Sequence, residues 1–167
     1  LAPRQPAQGA RFEVLLPRAL AAHGVEPRTR ARTAIALPTG TETLLVVEDE
    51  AGLRRVARLM LERLGYTVYE ASDGKDALRF FATGEPPIDL VVSDVAMPRL
   101  GGTALYRKVA ELGREVRFMF VPREAPETRH VPALQKPWTL PGLATAIRSE
   151  LDRPFTAPEP LAPATTT

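Results

Sequence analysis

Four residues of this sequence could do chemistry together if the fold brought them to one place. Glu48 ends the apolar run "TLLVVE" (43–48) and Asp49 follows it; Asp94 ends "IDLVVSD" (88–94); Lys136 follows "PALQ" (132–135). Three carboxylates in one place repel one another. A divalent cation relieves that repulsion, and hard oxygen donors suit Mg²⁺. Magnesium takes few carboxylates and keeps several waters, so it can also meet a phosphoryl group. A carboxylate in such a setting can act as a nucleophile and form an acyl phosphate. Lys136 can supply a point positive charge to phosphoryl oxygens. Each residue alone also has an ordinary reading. An acid at a strand end is often the N-cap of the next helix, and a lone lysine is most often a surface lysine. The chemistry requires all four on one rim.

The elements between these residues supply that rim. "TLLVVE" is continuously apolar, as a strand buried on both faces would be. Leu53, Val56, Ala57, Met60, Leu61 and Leu64 fall on one face of a helix closed by Gly65. "TVYEA" (67–71) reads as a strand and "DGKDALRFFATG" (73–84) as a helix. "IDLVVSD" is a third strand, "TALYRKVAELG" (103–113) a helix, and "VRFMFV" (116–121) a fourth strand. "PALQ" is a short fifth strand, and Leu140, Leu143, Ala144, Ile147 and Leu151 mark a final helix. Strand and helix alternate throughout, and parallel strands need crossover helices. The expected fold is α/β, a doubly wound five-stranded parallel sheet. Such folds place their site beyond the carboxyl ends of the strands, where the strand order reverses. Asp94 has that place, and Gly101 and Gly102 would let the chain behind it turn sharply into the next helix. Pro137 fixes the backbone just after Lys136, and an X-Pro bond there can be cis.

Composition narrows the class. The chain has 167 residues, 44% hydrophobic and 25% charged, which suits one globular domain with a real core. It has no cysteine, which excludes disulfides and thiolate metal sites and points to a cytoplasmic chain. No apolar run approaches about 18 residues, so no spanning helix and no membrane contact are expected. The start, "LAPRQPAQGARF", has neither an initiator Met nor a signal-peptide pattern, and suits a piece of something longer. Net charge is +2, but residues 1–40 hold six Arg against two Glu. The basic stretch "EPRTRARTA" (26–34) is read as a solvated linker rather than a nucleic-acid contact. Residues 1–40 and 153–167 are rich in Pro, Ala, Arg and Thr, with one candidate strand at Phe12–Leu16.

Three stretches, "LLVVEDE", "VVSDVAMPRLGG" and "LQKPWT", closely resemble the signatures of the receiver domain of two-component response regulators, in order and on the matching elements. The resemblance spans residues 42–152 and implies the flavodoxin-like receiver fold. It implies that Asp94 accepts a phosphoryl group from a histidine kinase or its phosphohistidine domain. It also implies that Glu48, Asp49, Asp94 and the backbone carbonyl of Ala96 bind Mg²⁺, and that Lys136 contacts the phosphoryl group. "GARFEVLLPRA" resembles the last strand of a histidine-kinase ATP-binding domain. The layout so implied is the C-terminal part of a hybrid histidine kinase: a kinase remnant at 1–19, a linker at 20–41, the receiver at 42–152 and a disordered tail at 153–167.

The sequence departs from the family's pattern in three places. The family carries Ser or Thr at the end of the fourth strand, where alignment places Phe120; a slip of one residue would give Val121, which also lacks a hydroxyl. It often carries an aromatic residue three positions before the lysine, where this chain has Ala133. "PREAPETRHVP" (122–132), with prolines at 122, 126 and 132, leaves room for a loop or a single turn, so the fourth helix is expected to be shortened or absent. A phosphoacceptor receiver is therefore weighed against a degenerate receiver that acts only as an interaction or autoinhibitory module. A haloacid-type phosphatase ranks below both, because it wants a second Asp two residues after the nucleophile, and that residue is Ala96.

Overall fold

In the computed structural model, residues 36–122 and 132–155 are described. They lie in the compact unit Ala36–Thr167. The candidate strand at Phe12–Leu16 and the stretch 123–131, where a shortened fourth helix was expected, fall outside the described residues.

The elements alternate as the periodicity predicts. They run β1 (Thr43–Val47), α1 (Ala51–Arg63), β2 (Thr67–Ala71), α2 (Gly74–Thr83), β3 (Leu90–Ser93), α3 (Gly102–Glu111), β4 (Arg117–Phe120) and α4 (Leu140–Asp152). The four strands form one parallel sheet in the order β2-β1-β3-β4. Among the described residues the expected fifth strand is represented by a single parallel bridge, Phe120 to Ala133. Around it the Phe120 N–H donates to the Pro132 carbonyl at 2.8 Å, the Leu134 N–H to the Phe120 carbonyl at 2.9 Å, and the Lys136 N–H to the Pro122 carbonyl at 3.1 Å. Pro132 has no N–H to give to β4, and Pro122 has none to return to the Leu134 carbonyl, so the ladder is interrupted on both sides of the bridge.

Side chains alternate across the sheet because a strand has a period of two. Leu44, Val46, Leu90, Val92 and Met119 face α1 and α4, meeting Ala57, Leu61, Leu143, Ala144 and Ile147. Leu45, Val47, Val91, Phe118 and Phe120 face α2 and α3, meeting Ala77, Phe81, Leu105, Tyr106 and Val109. Both faces are covered, which is why the strands read as unbroken apolar runs. Burying each large side chain contributes about 1.5–3 kcal/mol before entropy is charged. The chain before β1 also packs: Leu37 lies against the first of these clusters, and the Gly40 N–H donates to the Leu64 carbonyl at 3.1 Å.

Candidate functional site

β1 is the strand at which the order reverses, with β2 on one side and β3 on the other. Its carboxyl end carries Glu48 and Asp49, and that of β3 carries Asp94. One carboxylate oxygen from each of the three lies within 4.8 Å of the others. Glu48 and Asp94 are buried, and Asp49 is exposed. Lys136 completes the group: its Nζ donates to Glu48 Oε2 at 2.5 Å and to Asp94 Oδ2 at 2.7 Å. The Lys136 side chain is only 10% exposed, so it is no ordinary surface lysine. Its peptide bond to Pro137 is cis.

Neither acid position is spent on helix capping. The N-cap of α1 is Glu50 and that of α3 is Gly101, both without a side-chain cap bond. The true caps are Asp73, accepting from the Asp76 N–H, and Thr139, accepting from the Gly142 N–H. The acidic turn after β1 is held instead by Arg54, whose Nη1 donates to the Glu48 carbonyl at 2.6 Å.

The electrostatics follow from burial. Desolvation pushes the Glu48 carboxyl above its ordinary range, and the neighbouring Asp94 charge adds to this; hydrogen bonding and attraction to Lys136 offset it only in part. For Lys136, burial works against the charge, but the hydrogen bonds to Asp94 and Glu48 outweigh it and raise its pKa. The lysine therefore stays an ammonium while the acids around it compete for one cation. A hard divalent ion fits this donor set: two buried carboxylates and one exposed carboxylate, on a rim open to solvent through Asp49.

The loop behind Asp94 is set by close approach. A Cβ on Gly102 would collide with the Asp94 carbonyl and lie 2.7 Å from Ser93 Oγ; one on Gly101 would lie 2.7 Å from the Val95 carbonyl. Both glycines keep negative φ or ordinary helical geometry, so space rather than a left-handed turn demands them. The left-handed position falls on Arg99, with φ 65°, which the sequence reading missed. The Ala96 N–H donates to Asp94 Oδ1 at 3.2 Å.

One expected position moves. Phe120 pairs with Ser93, and its ring lies on the far face with Tyr106 and Phe118, at 6.3 and 6.5 Å between centroids. The residue next in register with Asp94 is Val121, whose N–H donates to the Ser93 carbonyl at 2.9 Å and whose side chain joins the Asp94 face. Val121, not Phe120, therefore stands beside the acid. Ala133 is exposed.

The response regulator receiver domain family matches residues 44–146. The chain is 36% identical over 123 residues to the sensor kinase CckA of Brucella abortus, covering 69% of this chain and 13% of that protein. It is 34% identical over 99 residues to the alkaline phosphatase synthesis transcriptional regulatory protein SphR of Synechococcus elongatus, covering 55% and 38%. It thus spans well under half the length of these relatives. Among solved structures it is similar to the receiver domain of the hybrid histidine kinase CckA, with TM-score 0.59 and 34% identity over 66% of this chain and 99% of that one. A receiver domain from Clostridium thermocellum, at 24% identity and TM-score 0.60, over 66% of this chain and 94% of that one, shows the same fold. No helix among the described residues is long and apolar enough to cross a membrane. Since the family match runs from β1 into α4 and takes in both strand ends and the lysine that joins them, the chain belongs to the response regulator receiver domain family, a signalling module of two-component systems.

Proposed function

We propose that Asp94 is the phosphoacceptor of this receiver, charged by a histidine kinase or its phosphohistidine domain. The observation that carries the reading is the shared lysine: one ammonium bonds both buried carboxylates at the point where strand order reverses. An Asp94 oxygen attacks phosphorus as the bond from phosphorus to the donor imidazole nitrogen breaks, and the imidazole takes back a proton. Glu48, Asp49, Asp94 and the Ala96 carbonyl would hold Mg²⁺. When bound, that ion offsets the charge on the phosphoryl oxygens. Lys136 can turn from the carboxylates toward the new phosphoryl oxygens, and the Ala96 N–H steadies the Asp94 carboxylate.

The similarity to a sensor kinase supports placing this receiver in a hybrid histidine kinase, with residues 1–19 as the remnant of its ATP-binding domain, a linker after it and a tail from residue 153. The packing of Leu37 and Gly40 supports starting the folded receiver near residue 36 rather than 42. A specific observation also favours a weak switch: Val121 has no hydroxyl and Ala133 no ring. The reading is therefore a phosphoryl relay or sink, in the cytoplasm, with no nucleic-acid contact of its own.

Incubation with a small acyl-phosphate donor and Mg²⁺, followed by intact mass, tests it. One phosphoryl group should add to the parent and none to Asp94→Asn. Equal labelling of both would refute the assignment.

A further inference from the structure

The loop that leaves Asp94 is tied to α2 by a pair of residues that phosphoryl transfer does not use. Asp73 is only 1% exposed. Its Oδ1 accepts from the Asp76 N–H at 2.9 Å and so caps α2. Its Oδ2 pairs with the guanidinium of Arg99. Arg99 has φ 65° and is the one non-glycine residue at positive φ among those described. Beside this pair, the Gly74 N–H donates to the Leu100 carbonyl at 3.0 Å, and a Cβ on Gly74 would lie 2.6 Å from that oxygen.

Capping accounts for Oδ1 alone. It leaves unexplained a second buried carboxylate oxygen and an arginine held in a conformation that L-residues avoid. Such a conformation persists where surrounding contacts over-determine it. One such contact is local, the Leu100 N–H donating to the Pro98 carbonyl at 2.7 Å across Arg99; the others draw residues 99–100 onto the start of α2. The same loop carries Ala96, and its far end is closed by the Gly102 N–H donating to the Val95 carbonyl at 3.0 Å.

We infer that Asp73 and Arg99 form a latch that positions the 95–101 loop, and with it the Ala96 carbonyl and the Asp94 carboxylate, for Mg²⁺. The inference rests on the Asp94 site proposed above. Both are positioning residues and touch neither metal nor phosphoryl group. Arg99 is 61% exposed on its side chain while Asp73 is buried, so the latch is closed from the solvent side.

Two substitutions open the latch. Asp73→Asn keeps a good N-cap, and Arg99→Asn removes the charge while keeping a side chain tolerated at positive φ. MgCl₂ is titrated by calorimetry into the full metal-free chain, parent and variants. Both single variants should bind Mg²⁺ more weakly, by about tenfold, and the double variant no worse than either. A simple field effect predicts opposite signs: losing the Asp73 charge would weaken the cation, and losing the Arg99 charge would strengthen it. A second readout needs no metal. Amide exchange at Ala96 and Gly102 should quicken in both variants, by roughly tenfold if the latch governs local opening. Opposite-sign affinity changes, or unchanged affinity with unchanged exchange, would overturn the latch. Absence of Mg²⁺ binding by the parent would count against the site itself, and the latch would then stand or fall on the exchange alone.

Discussion

Lys136 Nζ lies 2.7 Å from Asp94 Oδ2 and 2.5 Å from Glu48 Oε2, so one cation serves two buried acids from different strands. Removing it leaves both acids buried without a counter-charge, and breaking a buried pair costs about 3–5 kcal/mol. Lys136→Met should therefore lose roughly 3 kcal/mol in EDTA, by urea unfolding. MgCl₂ should restore part of that loss, because a ligand that binds only the folded state stabilises it. The parent should gain less from MgCl₂ than the variant does. Equal stability of the two proteins in EDTA would contradict this account of the site.

Gly102 tests the packing behind Asp94. A Cβ there meets the Asp94 carbonyl, which is backbone and cannot swing aside. Gly102→Ala should cost about 1–3 kcal/mol, as overpacking does, although alanine is the better helix former. Because the displaced group belongs to Asp94, phosphoryl uptake should slow as well. Gly142→Ala is the control: it lies in α4, where the nearest atom to a Cβ is Thr139 Oγ1 at 3.3 Å, and it should leave uptake unchanged. A stable Gly102→Ala with normal uptake would show that the loop yields more easily than this contact implies.

These two sites show what the sequence carries and what it hides. Strand ends were legible because runs such as "TLLVVE" and "IDLVVSD" stop on acids, and alternation of elements forces those ends to one rim. The helix faces were legible from the 3.6 period: Ala57, Leu61, Leu143 and Ile147 are buried as it requires, while Val56, read onto the same face, is 42% exposed. The position beside Asp94 stayed open between Phe120 and Val121 because "VRFMFV" is apolar at nearly every step. With both faces of the sheet buried, a one-residue slip leaves no polar residue out of place, and only the pairing of Ser93 with Phe120 fixes it. The double glycine was read as a turn, whereas what it relieves is a contact with carbonyls that lie close in space. Asp73 was read only as a helix start, because nothing local in "SDGK" announces a partner at Arg99.

Acid should release the contact between the entry segment and α4. Glu42 pairs with Arg148 Nη1 at 2.8 Å, and the Thr41 N–H donates to Glu42 Oε2 at 2.9 Å. Burial works to raise the Glu42 pKa, but its backbone hydrogen bonds and Arg148 outweigh that and hold it below its ordinary 4.5. A carboxyl with a lowered folded-state pKa contributes stability that is complete above the unfolded value and fades as pH falls through the folded one. Glu42→Gln should thus be less stable than the parent at neutral pH. The gap should close as pH drops below 4.5. Urea midpoints of both proteins across pH 7 to about 3 check the sign. A gap that is constant or widens with acid would mean the pair does not stabilise the fold.

Val121 and Phe120 lie on opposite faces of the sheet, so a hydroxyl at each meets different surroundings. Val121 is 3% exposed and follows the Ser93–Phe120 pair, so its side chain shares the Asp94 face. Phe120 is fully buried on the other face among Tyr106 and Phe118. A hydroxyl placed at 121 would be buried, and an unsatisfied one costs about 1–3 kcal/mol. Val121→Thr should therefore be destabilised in the unphosphorylated chain and should recover on phosphorylation, when acceptor oxygens arrive on Asp94. Phe120→Thr should lose about 3–5 kcal/mol by opening a cavity in the aromatic cluster, with no recovery on phosphorylation. Because Ala133 has no ring to move, Val121→Thr alone should change the response only near Asp94. Adding Ala133→Tyr should widen it into β4 and residues 132–135, read by amide chemical shifts. Urea midpoints with and without phosphodonor decide the first part. Recovery in Phe120→Thr but not in Val121→Thr would show that the register beyond Ser93 is not the one that governs this site.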